Sequence, residues 1–304
     1  MWSQTMLKLS RREFLKSSAA LAGLGFMPNG NVAGKNSGRV QVCGHLWVYA
    51  SGYPPDWDCT PILEQVFSDF NYAGIEGVEM METNLRHHDV VRRVKEMIDK
   101  YKVPVTGTSY SGNMWNKAEH SRILDDITLV LERLHEIGGN TLGITVGNAK
   151  RIKTTEELDA QAELLKQIMK VCGKYNVQPN IHNHTFEVEN NMHDLNGIME
   201  RLPEIKLGPD LNWLVRGGVD PVWFIKTYGQ RMVYMHIRDQ NADGKWTEAV
   251  GEGVTDFPAI AKALHDINYS GRAAIELAFD GPPVKEVKES WKTSREYVKK
   301  VFGW

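Results

Sequence analysis

Four ionisable side chains stand at the ends of four successive candidate strands in the second half of the chain. Each belongs to a short, mostly apolar run that is followed by an amphipathic stretch. The carboxyl ends of parallel strands meet at one edge, so side chains at those positions can converge. The four residues are Glu187, Asp210, His236 and Glu276.

Three carboxylates and one imidazole brought to one point predict a divalent cation. Without a positive charge between them, the carboxylates would repel and raise each other's pKa. Oxygen ligands with a single imidazole suit Mn²⁺, Mg²⁺ or Co²⁺, and the histidine also allows Zn²⁺. Glu276 is the strongest member, because it interrupts the apolar run Ala273–Ala278 and a buried glutamate is costly unless paired.

Strands and helices alternate strictly along the part of the chain that must position these residues. Such alternation predicts a parallel sheet, because parallel strands need a crossover connection. Eight units in about 270 residues give about 33 residues per unit, which fits a (β/α)8 barrel. The alternative, a doubly wound sheet, usually has a glycine-rich phosphate turn that Ala50–Pro55 lacks. The sequence therefore predicts an α/β, single-domain TIM barrel over residues 38–304.

The predicted elements follow from β-branched runs and from amphipathic periodicity. The strands are Val40–Tyr49, Gly74–Met80, Val103–Ser109, Thr141–Val146, Val177–His182, Ile205–Asp210, Met232–His236 and Ala273–Leu277. The helices are Pro61–Tyr72, Asp89–Tyr101, Ser121–Ile137, Thr155–Tyr175, Leu195–Arg201, Val222–Tyr228, Phe257–Ile267 and Val284–Val301.

The N-terminal segment resembles a twin-arginine export signal. Residues Ser10–Lys16 contain the paired arginines followed by Phe-Leu-Lys, and Ser17–Met27 is an uncharged stretch of mostly small and apolar residues. That stretch is too short to span a bilayer. We therefore expect residues 1–33 to be an export signal peptide, a periplasmic or otherwise exported location, and no membrane span later in the chain.

Composition excludes several classes of protein. Of the 304 residues, 36 are Lys or Arg and 38 are Asp or Glu, so the formal net charge is -2. No basic surplus favours a phosphate backbone, and nucleic acid is not expected as a partner. The three cysteines have wide spacings that predict neither a disulfide framework nor a CxxC zinc site.

The barrel region resembles the xylose isomerase-like superfamily of sugar phosphate isomerases and epimerases. The resemblance includes Gly74–Glu79, the His182-Asn183-His184 segment, Gly251–Phe257 and the Ile275-Glu276 strand. That superfamily also contains ketose 3-epimerases, inosose dehydratases and endonuclease IV. In its epimerase branch a Glu, an Asp, a His and a second Glu hold the metal. By order and spacing, the resemblance implies these roles for Glu187, Asp210, His236 and Glu276.

Two departures from the epimerase pattern affect the expected site. Trp213 stands where epimerases carry a histidine, and Arg238 is only a possible counterpart of their substrate-binding arginine. His182 and His184 lie on the same side of the strand by alternation. One of them can therefore contact the substrate or even replace Glu187 at the metal. Endonuclease IV is disfavoured because it needs a larger histidine-rich set and a basic surface.

The resemblance implies chemistry on a small sugar. A cation that polarises a carbonyl makes the adjacent C–H more acidic, and a carboxylate in reach can remove the proton to give an enediolate. Glu187 and Glu276 are the expected acid/base pair. The expected substrate-binding residues are His45, Glu79, His182, His184, Trp213 and Arg238.

Three functions remain open on the sequence alone. The first is a metal-dependent isomerase or epimerase of a non-phosphorylated sugar or keto-sugar, since an exported protein is not expected to meet sugar phosphates. The second is a keto-sugar dehydratase or 3-keto-glycoside lyase with the same metal site. The third is a non-catalytic carbohydrate-binding barrel. A homo-oligomer is possible, because barrels of this group commonly pair.

Overall fold

Eight short, mostly buried strands form the centre of the structure, a computed structural model that describes residues 39–304. All neighbouring strands pair in parallel. The predicted (β/α)8 TIM barrel is confirmed, whereas the predicted export signal lies outside the described residues. The strands are β1 (Gln41–His45), β2 (Val78–Met81), β3 (Val105–Ser111), β4 (Thr141–Thr145), β5 (Gln178–Ile181), β6 (Lys206–Leu207), β7 (His236–Ile237) and β8 (Arg272–Ile275).

The barrel closes between β6 and β7. Around the rest of the sheet the strand order is β6-β5-β4-β3-β2-β1-β8-β7. At the closing seam two isolated parallel bridges join Leu207 to Met232 and Asp210 to His236. The backbone N–H of His236 donates to the Pro209 carbonyl at 2.9 Å. Two predicted site residues are thus held side by side by the same contacts that close the ring.

Helices connect the strands and form the outer layer. Among residues 39–304, no helix combines the length and apolar content that crossing a membrane requires. The helices are α1 (Trp47–Ala50), α2 (Leu63–Ala73), α3 (Glu82–Leu85), α4 (Val90–Tyr101), α5 (His120–Glu136), α6 (Thr155–Lys174), α7 (Thr185–Arg201), α8 (Leu211–Arg216), α9 (Pro221–Tyr228), α10 (Phe257–Asp266) and α11 (Val287–Phe302).

Two element boundaries differ from the sequence prediction in ways that affect the site. The first strand was predicted to reach Tyr49, but β1 ends at His45 and the chain turns into α1. Helix α7 begins ten residues before the predicted Leu195, and Asn190–Met192 interrupt it with positive φ angles between 52° and 59°. Because of that interruption, the spacing of apolar residues does not indicate that the helix begins at Thr185. In both places the chain leaves the strand earlier than predicted, at the carboxyl-end face of the barrel.

An aromatic cluster joins the first and last long helices to the sheet. Trp291 of α11 is fully buried and meets Phe70 of α2 edge-to-face at a centroid distance of 4.7 Å. The ring of Tyr49 stacks nearly parallel to Trp291, and its hydroxyl donates to Asp69 at 2.8 Å. This cluster fixes α11, the last helix, beside α2.

We expect Trp291→Ala to lower the free energy of unfolding by about 3–5 kcal/mol, because it removes a fully buried aromatic side chain and leaves a cavity. Trp223→Ala is the matched control, since that tryptophan is 46% exposed. The control is expected to cost under about 1 kcal/mol. Urea unfolding followed by circular dichroism measures both. Equal costs for the two variants would contradict the packing described for α11.

Candidate active site

Three buried side chains at consecutive strand ends form a group able to hold a metal ion. His182 directly follows β5, Asp210 lies beyond β6, and His236 begins β7. One nitrogen or oxygen from each lies within 4.8 Å of those from the other two. All three are buried, and Asp210 is completely so. This spacing allows one cation to contact all three side chains.

Two nitrogen or oxygen atoms in this group lack a hydrogen-bond partner with good geometry. His182 Nδ1 is buried without a partner, and Asp210 Oδ2 accepts no aligned hydrogen bond although Arg238 Nε lies 2.9 Å away. The other oxygen of Asp210 caps α8 by accepting from the N–H groups of Asn212 and Trp213, both at 2.9 Å. Buried polar atoms are nearly always paired in proteins. The unpaired nitrogen of His182, in a group with Asp210 and His236, therefore fits a cation site.

His236 is held between two carboxylates. Its Nδ1 lies 2.6 Å from Glu276 Oε2, and its Nε2 lies 2.7 Å from Glu79 Oε2. Arg238 forms ion pairs with both Glu276 and Asp210. These five residues are each at most 5% exposed. Each of these buried carboxylates has a side-chain nitrogen of His236 or Arg238 in contact, which is what makes its burial tolerable.

His45 adds a neutral imidazole beside Glu276. Its Nδ1 lies 3.7 Å from Glu276 Oε2 and accepts the backbone N–H of Trp47 at 3.2 Å. With Nδ1 an acceptor, Nε2 carries the proton and donates to Ser109 Oγ at 3.1 Å. Burial lowers the pKa of His45 to about 3. The ring is therefore uncharged at neutral pH.

We call the cation group, together with the neighbouring residues Glu276, Arg238, His184 and Trp213, the cup. His184 and Trp213 form its wall on the side of β5 and β6. The two rings lie 5.5 Å apart, and the His184 ring is 5.1 Å from that of His182. His184 also stacks flat on Phe186, with an interplanar angle of 7°. Burial and the nearby Arg238 guanidinium lower the pKa of His184 to about 4. It is partly exposed, so a bound molecule can reach it.

An arginine that the sequence did not indicate completes this wall. The Arg216 guanidinium lies 3.4 Å from the ring centroid of Trp246 and 5.0 Å from that of Trp213. Arg216 also donates to Gln240 Oε1 at 2.8 Å and to the Gly244 carbonyl. It thus ties the loop after β7 to α8. The sequence feature that could have indicated Arg216 is its position three residues after Trp213, which places the two side chains on one face of a helix.

The structure does not bring Glu187 into the cation group. Glu187 is the third residue of α7, where its Oε2 accepts the His184 backbone N–H at 2.7 Å. Its Oε1 accepts from Val146 N–H at 3.3 Å. The side chain is completely buried, and burial raises its pKa. His182, which directly follows β5, is the member that this part of the chain contributes to the candidate group.

Family comparison agrees with this architecture. The family model described as "Xylose isomerase-like TIM barrel" matches residues 68–301. The chain belongs to this family. It is similar to an inosose dehydratase of Clostridium perfringens, 24% identical over 275 residues that cover 81% of this chain and 92% of the relative. An inosose dehydratase of Klebsiella pneumoniae is 22% identical over 283 residues, with 82% and 93% covered.

Solved structures of similar fold include several epimerases. An L-ribulose 3-epimerase superposes with a TM-score of 0.73 at 17% identity, covering 87% of this chain and 95% of that one. The 3-keto-D-glucoside 4-epimerase of Escherichia coli gives 0.67 at 15% identity, covering 86% and 100%. At these identities the likeness concerns the fold. The barrel and its family membership are therefore shown, and the activity is argued below from the site.

Acid is expected to destabilise the protein through its neutral histidines. The pKa of His184 is about 4 in the folded chain, against 6.5 ordinarily. Its contribution is complete above pH 6.5 and is lost as pH falls towards 4, because the unfolded chain takes up the proton first. Between pH 7.5 and 4.5 this loss amounts to about 2 kcal/mol. Urea unfolding of metal-free protein at both pH values measures it.

The control for this acid effect is an exposed histidine. His184→Asn should reduce the pH-dependent loss by about 2 kcal/mol. His88→Asn, at an exposed position, should leave that loss unchanged. The prediction fails if the His184 and His88 variants lose stability equally on acidification.

Variants at the end of β5 test which side chain there contacts a cation. We expect His182→Ala to weaken Co²⁺ binding at least tenfold, because the ring leaves the group at the seam. Glu187→Gln should change that affinity less than twofold, while costing about 1 kcal/mol of folding stability through the weakened cap. Isothermal titration calorimetry measures the affinities. Loss of binding in Glu187→Gln alone would restore Glu187 as the ligand.

Proposed function

We propose that this protein is a divalent-cation-dependent enzyme that removes a proton next to the carbonyl of a non-phosphorylated keto-sugar and expels a β-leaving group. The observation that carries this proposal is the cation group His182, Asp210 and His236 with Glu276 beside it. Its donor set, two imidazoles with carboxylates, suits Mn²⁺, Co²⁺ or Zn²⁺ better than Mg²⁺. When bound, such a cation supplies a Lewis acid that polarises the sugar carbonyl.

Glu276 is the proposed base. It is the carboxylate that lies both beside the cation group and within 3.7 Å of the neutral His45. A carboxylate in hydrogen-bond reach of the acidified C–H can accept its proton, with the developing enediolate charge balanced by Arg238. Arg238 already contacts Glu276 and Asp210, so it can orient a substrate oxygen between them. Its Cζ lies 5.3 Å from the Trp213 ring.

Elimination is favoured over epimerisation because, of the two carboxylates expected to act as acid and base, Glu276 lies beside the cation group and Glu187 does not. Epimerisation needs a second group to return the proton to the opposite face of the carbon. The sequence assigned that part to Glu187, whose two oxygens instead accept backbone N–H groups of His184 and Val146. The sequence relatives named inosose dehydratase support the same choice.

Epimerisation or isomerisation remains the second candidate, through His184. This ring is neutral near pH 7 and partly exposed, and it lines the cup beside His182. A neutral histidine that takes up and returns a proton could replace the missing carboxylate. The two reactions then share the first proton transfer. Elimination next loses the β-leaving group, whereas epimerisation keeps that group and returns the proton.

The arginines of the cup support a neutral or keto-sugar substrate. Arg238 is committed to Asp210 and Glu276, and Arg216 is committed to Trp246, Gln240 and the Gly244 carbonyl. A phosphate group would need to break one of these sets to gain a cationic partner. The export signal expected from the sequence supports the same substrate class. We accordingly propose a periplasmic or otherwise exported location.

Product analysis in D₂O tests the proposal. Metal-loaded protein is incubated with inososes, 3-keto-glycosides and ketoses, and products are read by mass spectrometry and NMR. We expect loss of water or an aglycone, and at least a hundredfold lower rate for Glu276→Gln. Glu204→Gln, an exposed glutamate away from the cup, is the control and should be unchanged.

The alternative functions give different products in the same assay. Deuterium incorporation into a sugar of otherwise unchanged composition would establish isomerisation or epimerisation and exclude elimination. Sugar-induced thermal stabilisation without deuterium exchange or product would indicate a carbohydrate-binding barrel. Full activity of Glu276→Gln would remove Glu276 as the base.

A further inference from the structure

Glu79 occupies the side of His236 opposite to Glu276. It belongs to β2, whereas His236 begins β7, so the contact crosses the barrel interior. Its Oε2 lies 2.7 Å from His236 Nε2, and the carboxylate is 2% exposed. The sequence assigned Glu79 to substrate binding. Its burial and its short contact with the imidazole ring point instead to a role through His236.

We propose that Glu79 is a positioning residue that fixes the His236 ring through Nε2, so that Nδ1 is the nitrogen presented to the cation. The inference rests on the cation site proposed above. Nδ1 is the nitrogen beside Glu276, at 2.6 Å, so a cation on that side would have both side chains within reach. A carboxylate on the second nitrogen of a metal-binding histidine fixes both its tautomer and its orientation.

Glu79 is enclosed in the barrel interior, where it contacts the imidazole of His236. Its Oε1 also lies near Gly143, where an added Cβ would be 3.5 Å away. The Tyr234 ring packs against His236 at 5.8 Å, and burial together with the Glu79 charge raises the pKa of Tyr234. The short contact with His236 Nε2 is therefore the geometric basis for assigning Glu79 to that ring.

The same geometry separates positioning from direct contact with substrate. A residue that binds sugar would raise KM when changed and leave cation affinity alone. A residue that holds His236 would change the cation complex in the absence of any sugar. It would leave KM of the cation-saturated enzyme nearly constant, because the wall formed by His184 and Trp213 stays in place.

The experiment measures Co²⁺ binding to the full chain without substrate. Glu79→Gln keeps the shape of the side chain and removes its charge, and Glu79→Asp keeps the charge and shortens its reach. We expect both to bind Co²⁺ 10- to 100-fold more weakly by calorimetry, with an altered visible absorption spectrum of the bound ion. Glu82→Gln, a neighbouring carboxylate that contacts the Ser111 backbone, is the matched control and should behave as the parent.

Each outcome decides the inference. Parent-like affinity and spectrum in Glu79→Gln overturn it, as does a raised KM with unchanged cation binding, which would return Glu79 to the substrate. Parent-like binding by Glu79→Asp would show that charge alone matters and also overturn it. If Glu79→Gln does not fold by circular dichroism, Glu79→Asp decides. Absence of Co²⁺ binding by the parent itself would overturn the cation site, and with it both proposals.

Discussion

A histidine clamped between two buried carboxylates is the contact on which the rest of the site depends. His236 joins Glu276 on β8 to Glu79 on β2, with both ring nitrogens engaged. It also forms the bridge to Asp210 that closes the barrel between β6 and β7. The pairing that closes the ring therefore also assembles the site, because His236, which bridges to Asp210, contacts both Glu276 and Glu79. Removing either carboxylate would leave a buried group without its partner.

Burial also sets the protonation of the neighbouring histidines. His45, His182 and His184 all have lowered pKa values, with burial as the main cause. A protonated imidazole repels a cation and offers no lone pair, so a neutral ring is the form that can ligate. The apolar barrel thus keeps these rings ready for a cation at neutral pH. Burial that would be costly for a charged side chain thus keeps these histidines in the neutral form that can bind a cation.

The sequence predicted the barrel well because its signals are local and repeated. Alternating β-branched and amphipathic runs located eight strands and eight of the long helices to within a few residues in most cases. It was less accurate where the period was interrupted or too short. Strands β6 and β7, which have two residues each, were predicted too long. Helices α1, α3 and α8, which have four to six residues, were not predicted, because neither period can be counted at that length. The closing seam, a pairing of residues distant along the chain, has no local signal at all.

The candidate group contains Asp210 and His236 of the four predicted ligands, has His182 in place of Glu187, and leaves Glu276 beside it. Strand alternation placed His182 and His184 on one side, whereas family spacing assigned the ligand to Glu187. The structure ends β5 at Ile181 and starts α7 at Thr185, which makes Glu187 the third helical residue. At that position a glutamate readily folds back on the unpaired N–H groups of the first turn.

That local interaction decides the competition between the two candidates. Capping needs only the four residues His184 to Glu187, so it forms with the helix itself. Contact with the cation group would require the same carboxylate to turn away from those N–H groups and leave them buried and unpaired. His182, one residue beyond the strand, faces the seam with no such demand on its Nδ1. The position of the helix start, which sequence spacing did not show, therefore accounts for the presence of His182, and not Glu187, in the candidate group.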